Sequence, residues 1–149
     1  MSNRRQSEIL RTLSIAALAL GLFGADCSNL PPSKASLPCD AQVAQIAIWD
    51  GRIQKVCGCG GTDGEFAAPG ATLSCTFALG KTLFFTYQGP FLRHQVVADG
   101  TPALPSSAVF DPSASVPVRA HAFTATAAGT YLFRDEFDQT ITGSIVITP

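Results

Sequence analysis

The sequence predicts an all-β domain, either a sandwich or a barrel, from Cys39 onward. Three observations indicate this class. No helical period of any length occurs after Cys39, the apolar runs are short, and Gly, Pro and Asp residues separate them. One long irregular connection, residues 99–117, interrupts the succession of predicted strands.

The first predicted element is a β-hairpin. Asp50-Gly51 stands between two β-prone runs, and a two-residue type I′ turn requires the positive φ angles that such a pair adopts. Strands are therefore predicted at about residues 44–49 and 52–57.

Further strands follow at the same short spacing. They comprise the alternating run of Leu73, Cys75 and Phe77, then residues 82–87, 118–126 and 130–133, and the closing segment GSIVIT. Large apolar side chains recur at period two along these strands. This pattern predicts a core that contains Phe77, Phe85, Phe123, Tyr131, Phe133, Ile145 and Ile147.

Length and charge limit the class of protein. The chain has 149 residues, 46% of them hydrophobic, which suits one domain with a substantial core. The formal net charge is −1, and Lys and Arg do not cluster beyond the N-terminus. Nucleic acid is therefore excluded as a partner on electrostatic grounds.

The N-terminal segment predicts export. Arginines at positions 4, 5 and 11 precede an apolar run at residues 13–25, which is too short to span a bilayer comfortably. Residues 1–26 therefore read as a secretory signal, and residues 27–38 as a Ser/Pro-rich linker.

Cys27 leaves two forms of the exported protein open. Its place after the apolar run resembles that of the lipid-modified cysteine of bacterial lipoproteins, although Asp26 stands where that signal favours a small neutral residue. The first form is a lipoprotein that touches the membrane only through this anchor. The second is a soluble periplasmic or secreted protein cleaved near Ala25.

The other four cysteines predict two disulfides, because disulfides persist in the oxidising compartments that exported proteins reach. The hairpin register places Ala44 opposite Cys57 and leaves Cys39 near Cys59. This register predicts the pairs Cys39–Cys59 and Cys57–Cys75. The alternative is a soft-metal site on VCGCGG, since two thiolates one residue apart suit Cu(I) or zinc.

Five segments, in order, carry a resemblance to a known family: LGKTLFF, FLRHQVV, VFDPS, HAFTATAAGTYLF and TGSIVI. They resemble the cupredoxins, the plastocyanin-like copper β-sandwiches. That family has a G-x-T-V-x-F strand, an H-N-V segment with the first copper ligand, an F-D-S-like turn and a P-G-T-Y finish with the remaining ligands. The resemblance covers roughly residues 71–148 and implies a cupredoxin-like Greek-key β-sandwich for residues 39–149.

The resemblance fails at the copper ligands. His94 stands at the position of the first copper histidine. The family's cysteine, second histidine and axial methionine fall on Asp135, Asp138 and Ile141. Blue copper requires a thiolate and two imidazoles, so the sequence predicts that the chain is not a blue-copper electron carrier.

Two interpretations of the acidic loop remain open. In the first, it is a solvated loop in which Arg134 or Arg93 neutralises a carboxylate. In the second, His94, Asp135 and Asp138 hold Cu(II) or another divalent ion, with His121 as an additional ligand. For His121 itself, a partly buried position beside Phe123 is favoured over a ligand role.

The functional prediction is an exported binding or structural module of the cell envelope that lacks a blue-copper site. No nucleophile motif occurs, so no enzymatic activity is predicted. No cofactor is expected, and the envelope partner is unknown. Two alternatives remain: a protein that binds copper or another divalent metal, and a surface interaction module that presents residues 99–117.

Overall fold

The computed structural model describes residues 39–149, and within this range the chain forms eight β-strands and no helix. The predicted signal segment, the linker and Cys27 lie outside the described residues. None of the described residues belongs to a helix long and apolar enough to cross a membrane. The strands are β1 Val43–Trp49, β2 Arg52–Cys57, β3 Leu73–Ala78, β4 Thr82–Tyr87, β5 Val96–Ala98, β6 Ala120–Thr124, β7 Gly129–Asp135 and β8 Thr142–Thr148.

The strands form two four-stranded sheets. The first has the order β2-β1-β4-β6, and the second has the order β3-β8-β7-β5. Each sheet contains one parallel pair, β1 with β4 and β3 with β8, while the other neighbours are antiparallel. Side chains from both sheets meet in one hydrophobic core. The prediction of an all-β sandwich is confirmed.

The core contains all seven side chains that the alternating pattern predicted. Phe85 of the first sheet meets Phe133 of the second edge to face, with ring centroids 5.0 Å apart. Gly143 allows this packing, since a Cβ atom there would lie 2.2 Å from the Phe133 ring. The predicted core is therefore confirmed.

Two strands differ from the prediction in extent, and a third has no predicted counterpart. β6 is shorter than the predicted residues 118–126, and β7 extends two residues further, to Asp135. The three-residue strand β5 was not predicted. It is too short to show an alternating pattern, and its pairing with the end of β7 defines it.

The predicted pairing of the cysteines is wrong, although both disulfides exist. The structure contains Cys39–Cys57 and Cys59–Cys75. The hairpin keeps the predicted register near its turn, but a bulge in the pairing then places Cys57 opposite Gln45 instead of Ala44. The chain leaves β2 at once and reaches β3, where the Gly60 N–H donates to the Thr76 carbonyl. Cys59 is thereby carried to Cys75, and Cys57 remains beside Cys39.

Candidate functional site

His94 lies in the segment between β4 and β5 and is fully buried. Its backbone is held in place on one side, because His94 and Phe110 exchange N–H···O=C hydrogen bonds of 3.1 and 2.8 Å. Phe110 belongs to the long connection 99–117. That connection therefore fixes the histidine backbone and covers its ring.

Asp135, the last residue of β7, is also fully buried. Its Oδ2 lies 2.7 Å from His94 Nδ1. Its Oδ1 accepts hydrogen bonds from the backbone N–H groups of Gln95, Phe137 and Asp138, at 3.3, 2.9 and 3.3 Å. One carboxylate thus orders the loop after β7 and contacts the histidine.

Asp50, in the β1–β2 turn, approaches the histidine from the other side. Its Oδ1 lies 3.2 Å from His94 Nε2. The same carboxylate accepts hydrogen bonds from the N–H groups of Phe91 and Leu92 at 3.1 and 3.2 Å. Gly89 makes room for it, because a Cβ atom at that position would lie 2.0 Å from Asp50 Oδ1.

Asp50, His94 and Asp135 form what we call the Asp–His–Asp cluster. Burial of the imidazole disfavours its charged form, but the hydrogen bonds and charges of Asp135 and Asp50 outweigh burial and raise the pKa of His94 above its ordinary 6.5. A protonated imidazole has two N–H donors and no acceptor. The protonated form therefore matches the two carboxylates that face its nitrogens.

Aromatic rings enclose the cluster within the sandwich. The rings of Tyr87 and Phe110 are nearly parallel to that of His94, at 7° and 12°, with centroids 6.3 and 6.1 Å away. The Tyr87 hydroxyl donates to Ser107 Oγ at 2.7 Å, and burial raises the pKa of Tyr87. These contacts exclude water from the core side of the imidazole.

The other residues predicted at the site lie apart from the His94 ring. Asp138 Oδ1 accepts from the N–H and hydroxyl of Thr140, at 3.1 and 2.5 Å, in the turn before β8. Ile141 is buried in the hydrophobic core. His121 lies 3.2 Å from the Pro105 carbonyl and stacks on Phe85. Of the predicted ligand set, only the side chains of His94 and Asp135 contact each other.

The solvated-loop interpretation is wrong for Asp135, which has no exposed surface. It describes Glu136, an exposed residue whose carboxylate lies 2.7 Å from Arg134. Arg93 pairs with Asp111, at 3.6 Å, and its guanidinium stacks on Phe137. Neither arginine therefore neutralises Asp135, whose partners are the imidazole and backbone N–H groups.

Within residues 39–149, no group of three or more His, Cys, Asp or Glu residues is arranged to hold a metal ion. The alternative of a soft-metal site on VCGCGG is wrong, because Cys57 and Cys59 are each in a disulfide. The roles of His94, Asp135 and Asp138 as metal ligands remain a prediction.

Sequence reasoning missed Asp50 and Gly89. The Asp50-Gly51 pair predicts a hairpin turn, and this role accounts for an aspartate at position 50 without a second contact. Its contact with His94 follows from the parallel pairing of β1 with β4, which places the β1–β2 turn beside the segment after β4. No short sequence pattern predicts the pairing of β1 with β4.

Comparison with known proteins gives matches among solved structures only. No protein-family model matches the chain. No curated protein matches it either.

The similar solved structures are cupredoxins, the family that the sequence segments resemble. The M98A mutant of amicyanin in its Cu(I) form is 20% identical, over 52% of this chain and 70% of that one, with a TM-score of 0.42. The purple cupredoxin from Nitrosopumilus maritimus is 15% identical, over 70% and 99%, with a TM-score of 0.47. Dithionite-reduced auracyanin from Roseiflexus castenholzii is 15% identical, over 75% and 100%, with a TM-score of 0.46.

Proposed function

We propose that the domain is an exported binding or structural module of the cell envelope, in which the Asp–His–Asp cluster braces the fold instead of holding blue copper. One observation carries this proposal. Both ring nitrogens of His94 face carboxylate oxygens, Asp135 Oδ2 at 2.7 Å and Asp50 Oδ1 at 3.2 Å. A protonated imidazole held in this way offers no lone pair to a metal.

The residues at the family's ligand positions do not fit a blue-copper centre. Such a centre requires a thiolate, and Asp135 supplies a carboxylate whose two oxygens already accept four hydrogen bonds. Ile141, at the axial position, is an apolar side chain in the core. The described cysteines are all in disulfides.

The cluster is suited to bracing because its members come from separate parts of the sandwich. Asp50 follows β1 of the first sheet, whereas Asp135 ends β7 of the second sheet. His94 precedes β5 and joins the two. Removing His94 would leave two carboxylates without their cation, and breaking a buried ion pair typically costs about 3–5 kcal/mol.

We infer no catalytic role for His94. His94 is fully buried, and each of its nitrogens is occupied by a carboxylate instead of a hydroxyl or thiol that it could activate. Export is supported by the two disulfides, which persist in oxidising compartments. Mass spectrometry of the native N-terminus tests export and lipidation, since an unmodified chain that begins at Met1 contradicts both.

Metal analysis tests whether the domain binds copper or another divalent metal through His94. The purified protein is equilibrated with Cu(II), Zn(II) and Ca(II), separately, beside His94→Gln and the control His121→Gln. The wild type is expected to show no blue absorption band with Cu(II). Wild type and His94→Gln are expected to bind the same amount of each metal. One bound Cu(II) per chain, lost in His94→Gln and retained in His121→Gln, would instead support the metal-binding alternative that uses His94, Asp135 and Asp138.

A further inference from the structure

The first sheet ends at β6, whose outer edge has no backbone partner within residues 39–149. The Tyr87 N–H donates to the Arg119 carbonyl, and this register directs the backbone groups of Arg119, His121 and Phe123 toward β4. The N–H and C=O groups of the alternate residues, Ala120, Ala122 and Thr124, therefore point away from the sheet. No backbone hydrogen bond among the described residues reaches them.

The other three sheet edges are covered at least in part. Residues 64–67 bond to the outer edge of β2. The Gly60 N–H donates to the Thr76 carbonyl on the edge strand β3. Ser107 caps the edge strand β5, where its N–H donates to the Val96 carbonyl and its hydroxyl accepts from the Val96 N–H. The bare edge of β6 is therefore an exception within this fold.

β6 also lacks the features that prevent edge strands from pairing. Proteins protect such edges with lysine, proline, bulges or inward-pointing charges. The outward-directed residues Ala120, Ala122 and Thr124 are small, uncharged and exposed. The pairing of β6 with β4 has no register shift. A strand of this kind is a template for one more strand.

We propose that the occupant of this edge is β6 of a second copy of the chain, paired antiparallel about a two-fold axis at Ala122. In this register Ala120 of one copy faces Thr124 of the other, and His121 faces Phe123. Arg119 faces Ala125 instead of another cation. The strand carries no Asp, Glu, Lys or Arg, so this register sets no like charges opposite each other, and the first sheets of the two copies become one continuous sheet.

The contact is short, so the dimer is expected to be weak and dependent on concentration. β6 has five residues, and edge pairing of that length buries less surface than a standard stable interface. Association is expected between about 1 μM and about 1 mM.

Sedimentation of the full chain, in a detergent matched in density to the buffer, tests this proposal. The wild type is expected to change from monomer to dimer as concentration rises. Ala122→Lys places two lysines opposite each other and is expected to weaken association at least about tenfold. Thr76→Lys, an exposed threonine on the other sheet's edge strand, is the matched control and is expected to leave association unchanged.

Two double variants test the register of the proposed β6–β6 pairing. Because they are compared with each other, the test does not rest on the folding of Ala122→Lys alone. Ala120→Lys with Thr124→Glu places opposite charges across the axis and is expected to retain the dimer. Ala120→Lys with Thr124→Lys is expected to lose it. A wild type that stays monomeric, that forms assemblies larger than a dimer, or that responds equally to Ala122→Lys and Thr76→Lys would overturn the proposal.

Discussion

His94 Nδ1 lies 2.7 Å from Asp135 Oδ2, and both side chains are fully buried. These residues occupy the positions of the first histidine and the cysteine in the segments that resemble cupredoxins. In this chain the pair joins the segment before β5 to the end of β7. This contact holds the segment before β5 against the end of β7. Removing either side chain leaves the polar group of the other buried without this partner.

Asp135→Asn is expected to destabilise the domain by about 3–5 kcal/mol, because it breaks the buried pair with His94 and turns an amide NH2 group toward another donor, either the His94 Nδ1–H or the backbone N–H groups. The free energy of unfolding in urea, measured at pH 6, checks this value. Asp138→Asn is the control, since Asp138 is partly exposed and its carboxylate accepts hydrogen bonds only from Thr140. Equal losses in the two variants would contradict the special role of Asp135.

The contribution of His94 to stability is expected to fall as the pH rises. The pKa of His94 is raised in the folded protein, so its contribution is fully present below its ordinary 6.5 and is lost as the pH passes through the raised value. Unfolding of the wild type and of His94→Gln, followed from about pH 6 to about pH 9, measures this contribution as a difference. A difference that grows with pH would contradict the assignment of protonated His94.

Gly89→Ala is expected to destabilise the domain by about 1–3 kcal/mol or more, since its Cβ atom would lie 2.0 Å from Asp50 Oδ1 and 2.9 Å from the Asp50 backbone nitrogen. Thermal unfolding provides the measurement. Gly60→Ala is the control, because its Cβ atom would meet Thr76 at an ordinary 3.5 Å. A Gly89→Ala protein as stable as Gly60→Ala would show that Asp50 has another position available.

Removing both cysteines of one observed disulfide is expected to leave the other disulfide intact, whereas removing one cysteine from each is expected to leave two free thiols. Cys39→Ser with Cys57→Ser should leave no free thiol in residues 39–149, because Cys59–Cys75 remains. Cys39→Ser with Cys59→Ser should leave two free thiols. Thiol labelling of the denatured, unreduced proteins distinguishes these results, and the opposite pattern would restore the pairing predicted from the hairpin. Loss of either bridge is expected to cost about 2–5 kcal/mol.

The sequence predicts those parts of the fold that depend on local pattern. Alternation at Leu73, Cys75 and Phe77 corresponds to the buried-exposed alternation of β3, and the Asp50-Gly51 signal marks the hairpin turn. The disulfide pairing could not be obtained in this way, because one extra residue at the bulge shifts every later position of the hairpin.

The candidate site was predictable only in part, for a related reason. The family resemblance placed His94 and Asp135 together, and the structure has them in contact. It gave no reason to expect that Asp135 is buried or that Asp50 is the second partner. Both facts depend on the pairing of strands that are distant in sequence, β5 with β7 and β1 with β4. A short sequence pattern does not predict such pairing.

Nitrogen NMR of the His94 ring tests the central claim most directly. The protein is labelled with ¹⁵N, and the ring signals are recorded at pH 6 before and after addition of one equivalent of Zn(II), with His121 as the internal comparison. The account predicts that both His94 nitrogens carry protons, at shifts typical of imidazolium, and that Zn(II) leaves them unchanged. An unprotonated His94 nitrogen that shifts on addition of Zn(II) would contradict it and show that the histidine is free to act as a metal ligand.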